Sequence, residues 1–225
     1  GMVSVPADAT EALVRIFNTN TGQIYHARFA VKDGKPCEDG DFAIAGVAGT
    51  GARVTLDFIA PGGSRTGALL PSGNATDRLT VAGIGEIEAS LIDAANPVVF
   101  VRASDLGKRA TEGPQTLDSD PDLMTRIEAV RRAGAVKMGL ADSVDSAGPA
   151  NPKVAMVAEP APFEALDGTR HAADSHQINV RLVSMGNFHR AITLTGGLCT
   201  AVAAQIPGSL VAQIARPEGP LLHIG

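Results

Sequence analysis

The chain reads as an α+β protein, a mixed sheet with a few helices, and three stretches of its 225 residues carry that reading. The first is Leu13-Val-Arg-Ile-Phe17, which alternates as a half-buried strand does, followed by the turn Asn18-Thr-Asn-Thr-Gly22 and an answering strand from Gln23 to Val31. The second runs from Pro121 to about Met138, where Asp120 suits the N-cap and proline suits the first helical position. Leu123, Ile127 and Val130 recur on one face of that helix, and Arg126, Arg131 and Arg132 are expected on a solvated face. The third is a short apolar helix over residues 195–206, ended by Pro207-Gly208.

The other elements follow in chain order. Ala52 to Ile59 alternates as a strand, with a polar loop over residues 32–41 before it. Pro61-Gly-Gly-Ser64 and Pro71-Ser-Gly-Asn74 break structure, so residues 61–80 are expected to connect two parts. Residues 1–75 then form a β-rich part, and residues 80–225 a second part that holds the helices. Strands are expected at Gly85 to Ile92, Val98 to Val101, Lys153 to Val157, Gln177 to Val183, Gly208 to Ile214 and Pro220 to Ile224. A sharp turn at Asn96-Pro97 separates the first two, and the proline holds Asn96 extended and so aims its side chain.

Composition narrows the function. Hydrophobic residues make up 44% and charged residues 19%, as in an ordinary soluble domain with a substantial core. With no Trp, one Tyr and a net charge of −5, the chain lacks the stacking groups and the basic surface of a nucleic-acid or anionic-membrane binder. Neither a charged-then-apolar amino terminus nor an apolar run of membrane length is visible, so a cytoplasmic protein is expected. Cys37 and Cys199 form no disulfide framework and fit no zinc spacing; Cys37 is expected as an exposed thiol and Cys199 as buried packing. His26, His171, His176 and His223 have no partners at metal-ligand spacing, so no metal is expected.

The richest segment for chemistry is Ser184-Met-Gly-x-x-His189, which leads into Thr195-Gly-Gly197. Thr195 is a good N-cap, and Gly196 and Gly197 would carry the first free N–H groups of the helix. Free amides at the positive end of a helix dipole favour a carboxylate or phosphate, and glycine lets it approach the backbone closely. Ser184, Met185, Gly186 and His189 could hold a second group, and Asn96 could orient an amide or carboxylate from the facing turn.

Four strings in order resemble one family. They are Leu70-Pro-Ser-Gly-Asn74, Ala89-Ser-Leu-Ile-Asp-Ala-Ala-Asn96 with the strand after it, Ala133-Gly-Ala-Val-Lys-Met-Gly139 followed by Pro152-Lys-Val-Ala155, and the Ser184 to Gly208 segment. Together they resemble the PrpF-like 2-methylaconitate cis-trans isomerases, whose relatives act on methylitaconate and 4-oxalomesaconate. The resemblance implies a diaminopimelate-epimerase-like fold, with mixed sheet or barrel wrapped around a central helix in each of two halves. It also implies a cofactor-independent shift of a proton and double bond in a small unsaturated di- or tricarboxylate. The family's Gly-Gly-Thr-Ser-Lys and Asn-Cys-Gly-Asn loops do not occur in this chain, nor does its closing His-Pro-Ser-Gly. The expectation is therefore one nearly complete half plus remnant strands of the other, from a truncated reading frame, a degenerate paralogue or one subunit of a split enzyme. Such a chain would be weak or inactive alone, and would pair as a homodimer or with a complementary first-half subunit. The alternative is a non-catalytic module that binds small carboxylates or a protein.

Overall fold

A computed structural model describes residues 5–44 and 47–225. The chain divides into two compact units, Gly1–Pro61 and Gly62–Gly225. In the first, β1 (Glu11–Asn18) pairs antiparallel with β2 (Gln23–Lys32), which also pairs with β3 (Lys35–Pro36) and β4 (Val54–Phe58). The β1–β2 turn closes through the Gly22 amide on the Asn18 carbonyl at 2.8 Å, with Gly22 at φ +69°. Tyr25 and Phe58 pack ring to ring across β2 and β4. The described residues of this unit form no helix, and Leu13, Phe17 and Val54 are exposed.

The second unit is built on one six-stranded sheet. Its members are β5 (Asp77–Val81), β6 (Gly85–Ala94), β7 (Asn96–Arg102), β8 (Lys153–Ala158), β11 (Asn179–Ser184) and β12 (Asn187–Phe188), in the spatial order β12-β11-β8-β7-β6-β5. A separate small ribbon joins β9 (Phe163–Glu164) to β10 (Arg170–His171). All neighbours in the large sheet run antiparallel except β7 and β8, so the unit has mixed α+β character. The β7–β8 crossover carries α1 (Pro114–Asp118) and α2 (Pro121–Lys137). After β12 come α3 (Leu194–Ala204) and α4 (Leu210–Ala215).

The apolar run of β7 is explained by its two faces. Val99 and Val101 join Leu91, Leu123, Ile127, Val130 and Met156 in a core that includes α2. Val98 and Phe100 join Ile92, Ala155, Leu182, Cys199, Ala203, Val211 and Ile214 in a second core that includes α3 and α4. A strand buried on both faces reads as a continuous apolar string. Helix α2 starts as expected, with the Asp120 carboxylate accepting from the Leu123 amide and Pro121 in the first turn.

Five expectations are corrected. Residues 77–81 are not connecting chain but an edge strand paired with β6. Residues 210–215 are helical rather than extended: Ser209 caps the Ala212 amide, and the buried positions Leu210, Val211, Ile214 and Ala215 follow helical spacing. The closing residues make a single bridge, Ile224 to Ile178, in place of a strand. Arg131 is not on a solvated face. It is buried, paired with Glu128 at 2.7 Å, and donates to the carbonyls of Ala147, Gly148 and Asn151, fastening the loop after α2. Cys37, expected exposed, is half-buried.

Candidate active site

Strand register sets out the candidate site. On the α3 face of the sheet, Val98 of β7 stands beside Lys153 of β8, and the Lys153 ammonium donates to the Ser184 hydroxyl of β11 at 2.8 Å. Asn96 opens β7, and the Ala95 before it takes a left-handed φ of 59° to close the β6–β7 hairpin. Ser184 and Asn187 close the β11–β12 hairpin around Met185 and Gly186, at φ 53° and 83°. Two successive left-handed residues are what a tight two-residue hairpin needs. Met185 adopts that conformation at a cost glycine avoids, and its side chain is 68% exposed at the tip. His189 follows the hairpin and anchors by donating its amide to the Leu182 carbonyl at 2.9 Å.

Two polar atoms in this cluster are buried without a protein partner: Asn96 Oδ1 and His189 Nε2. Buried polar atoms in native proteins are nearly always bonded, so these two, at one end of the sheet, are free to bond a group that the described residues do not supply. Burial pulls the His189 imidazole below its usual pKa, and the nearby Lys153 charge pulls it further. Burial also lowers the Lys153 ammonium. At neutral pH the imidazole is therefore neutral, and Nε2 can donate or accept according to its tautomer.

The start of α3 differs from expectation. Thr193, not Thr195, is the N-cap, and its hydroxyl accepts from the Gly196 amide at 3.2 Å. The Thr193 carbonyl takes the Gly197 amide at 2.8 Å. Gly196 and Gly197 thus have no free N–H; among the described residues the unpartnered first-turn amides are those of Leu194 and Thr195. Gly196 serves packing instead. A Cβ there would lie 2.6 Å from Leu182 Cδ2 and 2.7 Å from the capping oxygen, so a larger residue at this position would force Leu182 and the cap to shift.

The remaining strings fall into structural work. Asp93, fully buried, accepts from the Ser64 hydroxyl and from the Arg65 and Thr66 amides at 2.8 Å each, holding residues 62–66 against the β6–β7 hairpin. Ser72 and Asn74 of the Leu70–Asn74 string close on Asp77. Cys199 packs against the Ile92 carbonyl, and burial pushes its thiol up to about 12, in keeping with a packing residue. His171 and His176 pack around Phe163. No group of three or more His, Cys, Asp or Glu side chains converges among the described residues, and no helix there is long and apolar enough to cross a membrane.

Lys153 is the residue that sequence reasoning passed over as a functional group. It stood inside a quoted string, and the available signal was a lone cation opening an otherwise apolar strand.

Comparison with known proteins fits this architecture. The 3-methylitaconate isomerase of Eubacterium barkeri is 37% identical over 217 residues, 94% of this chain and 57% of the relative. The 2-methyl-aconitate isomerase of Shewanella oneidensis is 36% identical over 203 residues, 88% of this chain and 51% of the relative. A crystal structure of methylitaconate-delta-isomerase superposes with a TM-score of 0.89 at 36% identity, covering 98% of this chain and 58% of that one. The chain spans about half the length of the curated relatives it matches. A family profile described as PrpF protein matches residues 1–221, and the chain belongs to that family.

Proposed function

We propose that this chain supplies a carboxylate-binding wall of a cofactor-independent isomerase, which moves a proton and its double bond in a small unsaturated di- or tricarboxylate of the 2-methylaconitate kind. The observation that carries the reading is the gathering of Asn96, Ser184 and His189 at one end of the sheet, with two buried polar atoms there lacking any protein partner. Membership of a family with relatives named for 3-methylitaconate and 2-methyl-aconitate isomerisation supports the substrate class.

The chemistry asks for little. Removing a proton α to a carboxylate pushes negative charge onto that group, and donors already in place stabilise it as it develops. The Ser184 hydroxyl, His189 Nε2 in its protonated tautomer and the first-turn amides at Thr195 are donors of the right type. Met185 and Gly186 shape the hairpin that presents them, while Gly196 and Gly197 bring the helix start close. Among the described residues none of these groups is assigned as the base, and in this reading the base is supplied from outside this sheet end. Lack of a general base costs about a hundredfold to ten-thousandfold in rate. Alone, the chain is therefore a weak isomerase or a carboxylate-binding module.

A thermal-shift series with trans-aconitate, 2-methylaconitate, methylitaconate, oxalomesaconate and citrate tests the reading, joined to deuterium uptake from solvent followed by NMR. A saturable rise in melting temperature for the unsaturated acids is the expected result. Binding without deuterium uptake would select the non-catalytic module, and no shift with any acid would overturn the proposal.

A further inference from the structure

We infer that Lys153, with the Ser184 hydroxyl that it holds, forms a subsite for one carboxylate of the ligand, and that this lysine rather than the start of α3 sets the preference for anions. The inference rests on the proposed function and assigns its charge to a residue that the sequence reading did not place in the site.

The environment of the lysine carries the argument. An ammonium has three donors, and the structure gives this one a single partner, the Ser184 oxygen at 2.8 Å. Among the described residues no carboxylate lies within ion-pair distance of it, although eight other contacts between basic and acidic side chains are formed. The side chain is half-buried at the head of β8, on the same face as Leu182 and the orphaned atoms of Asn96 and His189. A cation drawn out of water without a counter-ion is unfavourable, and an arriving carboxylate relieves that penalty. The groups around it suit the same guest. His189 is kept neutral by burial and by the lysine, so it can donate to a carboxylate oxygen without adding a second charge. The Asn96 amide can turn either its oxygen or its nitrogen toward a ligand. By contrast, two amides of the α3 first turn are already used within the helix.

The test is calorimetric titration of trans-aconitate and citrate into the full chain and into Lys153→Met, Lys153→Arg and Ser184→Ala, with Arg78→Met as a remote surface control. Affinity is expected to fall about tenfold or more in Lys153→Met, the loss of one charge-assisted contact, and to change little in Arg78→Met. Lys153→Arg should lie between, because it keeps the charge and alters the geometry. In buffer alone, Lys153→Met should melt no lower than the parent, since it removes an uncompensated charge. A parent that binds and a Lys153→Met protein that binds equally well would overturn the subsite and leave the proposed function standing. A parent that binds neither acid would overturn both. If Lys153→Met does not fold, the lysine is structural and the inference fails, and Ser184→Ala then shows whether the hydroxyl binds by itself.

Discussion

His189 is the residue whose behaviour is most open to a direct check. Burial first, and the Lys153 charge second, hold its pKa below 6.5. A histidine depressed in the folded state binds its proton more readily when unfolded. Its contribution to stability is therefore fully present above about 6.5 and is lost as pH falls through the folded value. NMR titration should find this imidazole titrating below 6.5 in the parent. In Lys153→Met its midpoint should move up without reaching 6.5, because the burial remains; an unchanged midpoint would mean that the lysine field does not reach the ring. The parts of the site legible in sequence were those marked by backbone chemistry. Gly186 marked a polar loop after Ser184 and Asn96-Pro97 a sharp turn; the structure makes the first a hairpin and centres the second on Ala95. Lys153 carried no such mark, because a lysine at the head of a strand is ordinarily solvated and its burial arises only from pairing with β7 and β11. The cap was displaced by two residues for a related reason. Thr193 and Thr195 are equally good caps by type, and starting the helix at Leu194 places Gly196, the residue closest to Leu182, at the third helical position.

Among the elements, α2 and β7 pack closely at Gly134. A Cβ there would lie 2.4 Å from Val99 Cγ2, and the β-branched valine has little freedom to withdraw. Alanine gains about 1 kcal/mol in helix propensity over glycine, whereas overpacking costs about 1–3 kcal/mol. The clash should win. Chemical denaturation is expected to show Gly134→Ala less stable than the parent, with Val99→Ala recovering part of the loss in the double variant. Additive losses would show that the two side chains do not meet. Element by element, the fold was most legible where period and punctuation agreed. The β1–β2 hairpin and α2 lie within a residue or two of the expected bounds, since alternation plus a glycine turn, and a cap plus a first-turn proline, leave little choice. Strand β5 was hidden by the Pro, Ser, Gly and Asn just before it, which belong to a loop folded onto Asp77. Helix α4 was hidden by its Leu, Val and Ile content, and only the core beneath it settles the spacing as helical.

On the scale of the whole molecule, the net charge and the proposed site have opposite signs. The chain carries a net charge of −5, yet one end of its larger sheet gathers a half-buried lysine, with no counter-ion among the described residues, beside two orphaned polar atoms. The sheet is flanked by two separate cores, with α2 on one face and α3 and α4 on the other, and this rigid support fixes the ends of β7, β8 and β11 relative to one another. Preorganised groups of this kind are what a site for a small anion requires. The most direct measurement of the central claim is the His189 imidazole resonance, identified by its absence from a His189→Gln spectrum, as trans-aconitate is added to the parent chain. Binding at the sheet end predicts a saturable change in that resonance and a raised histidine pKa, because the bound anion offsets the Lys153 charge. A resonance and a pKa that do not respond to saturating ligand would contradict the account.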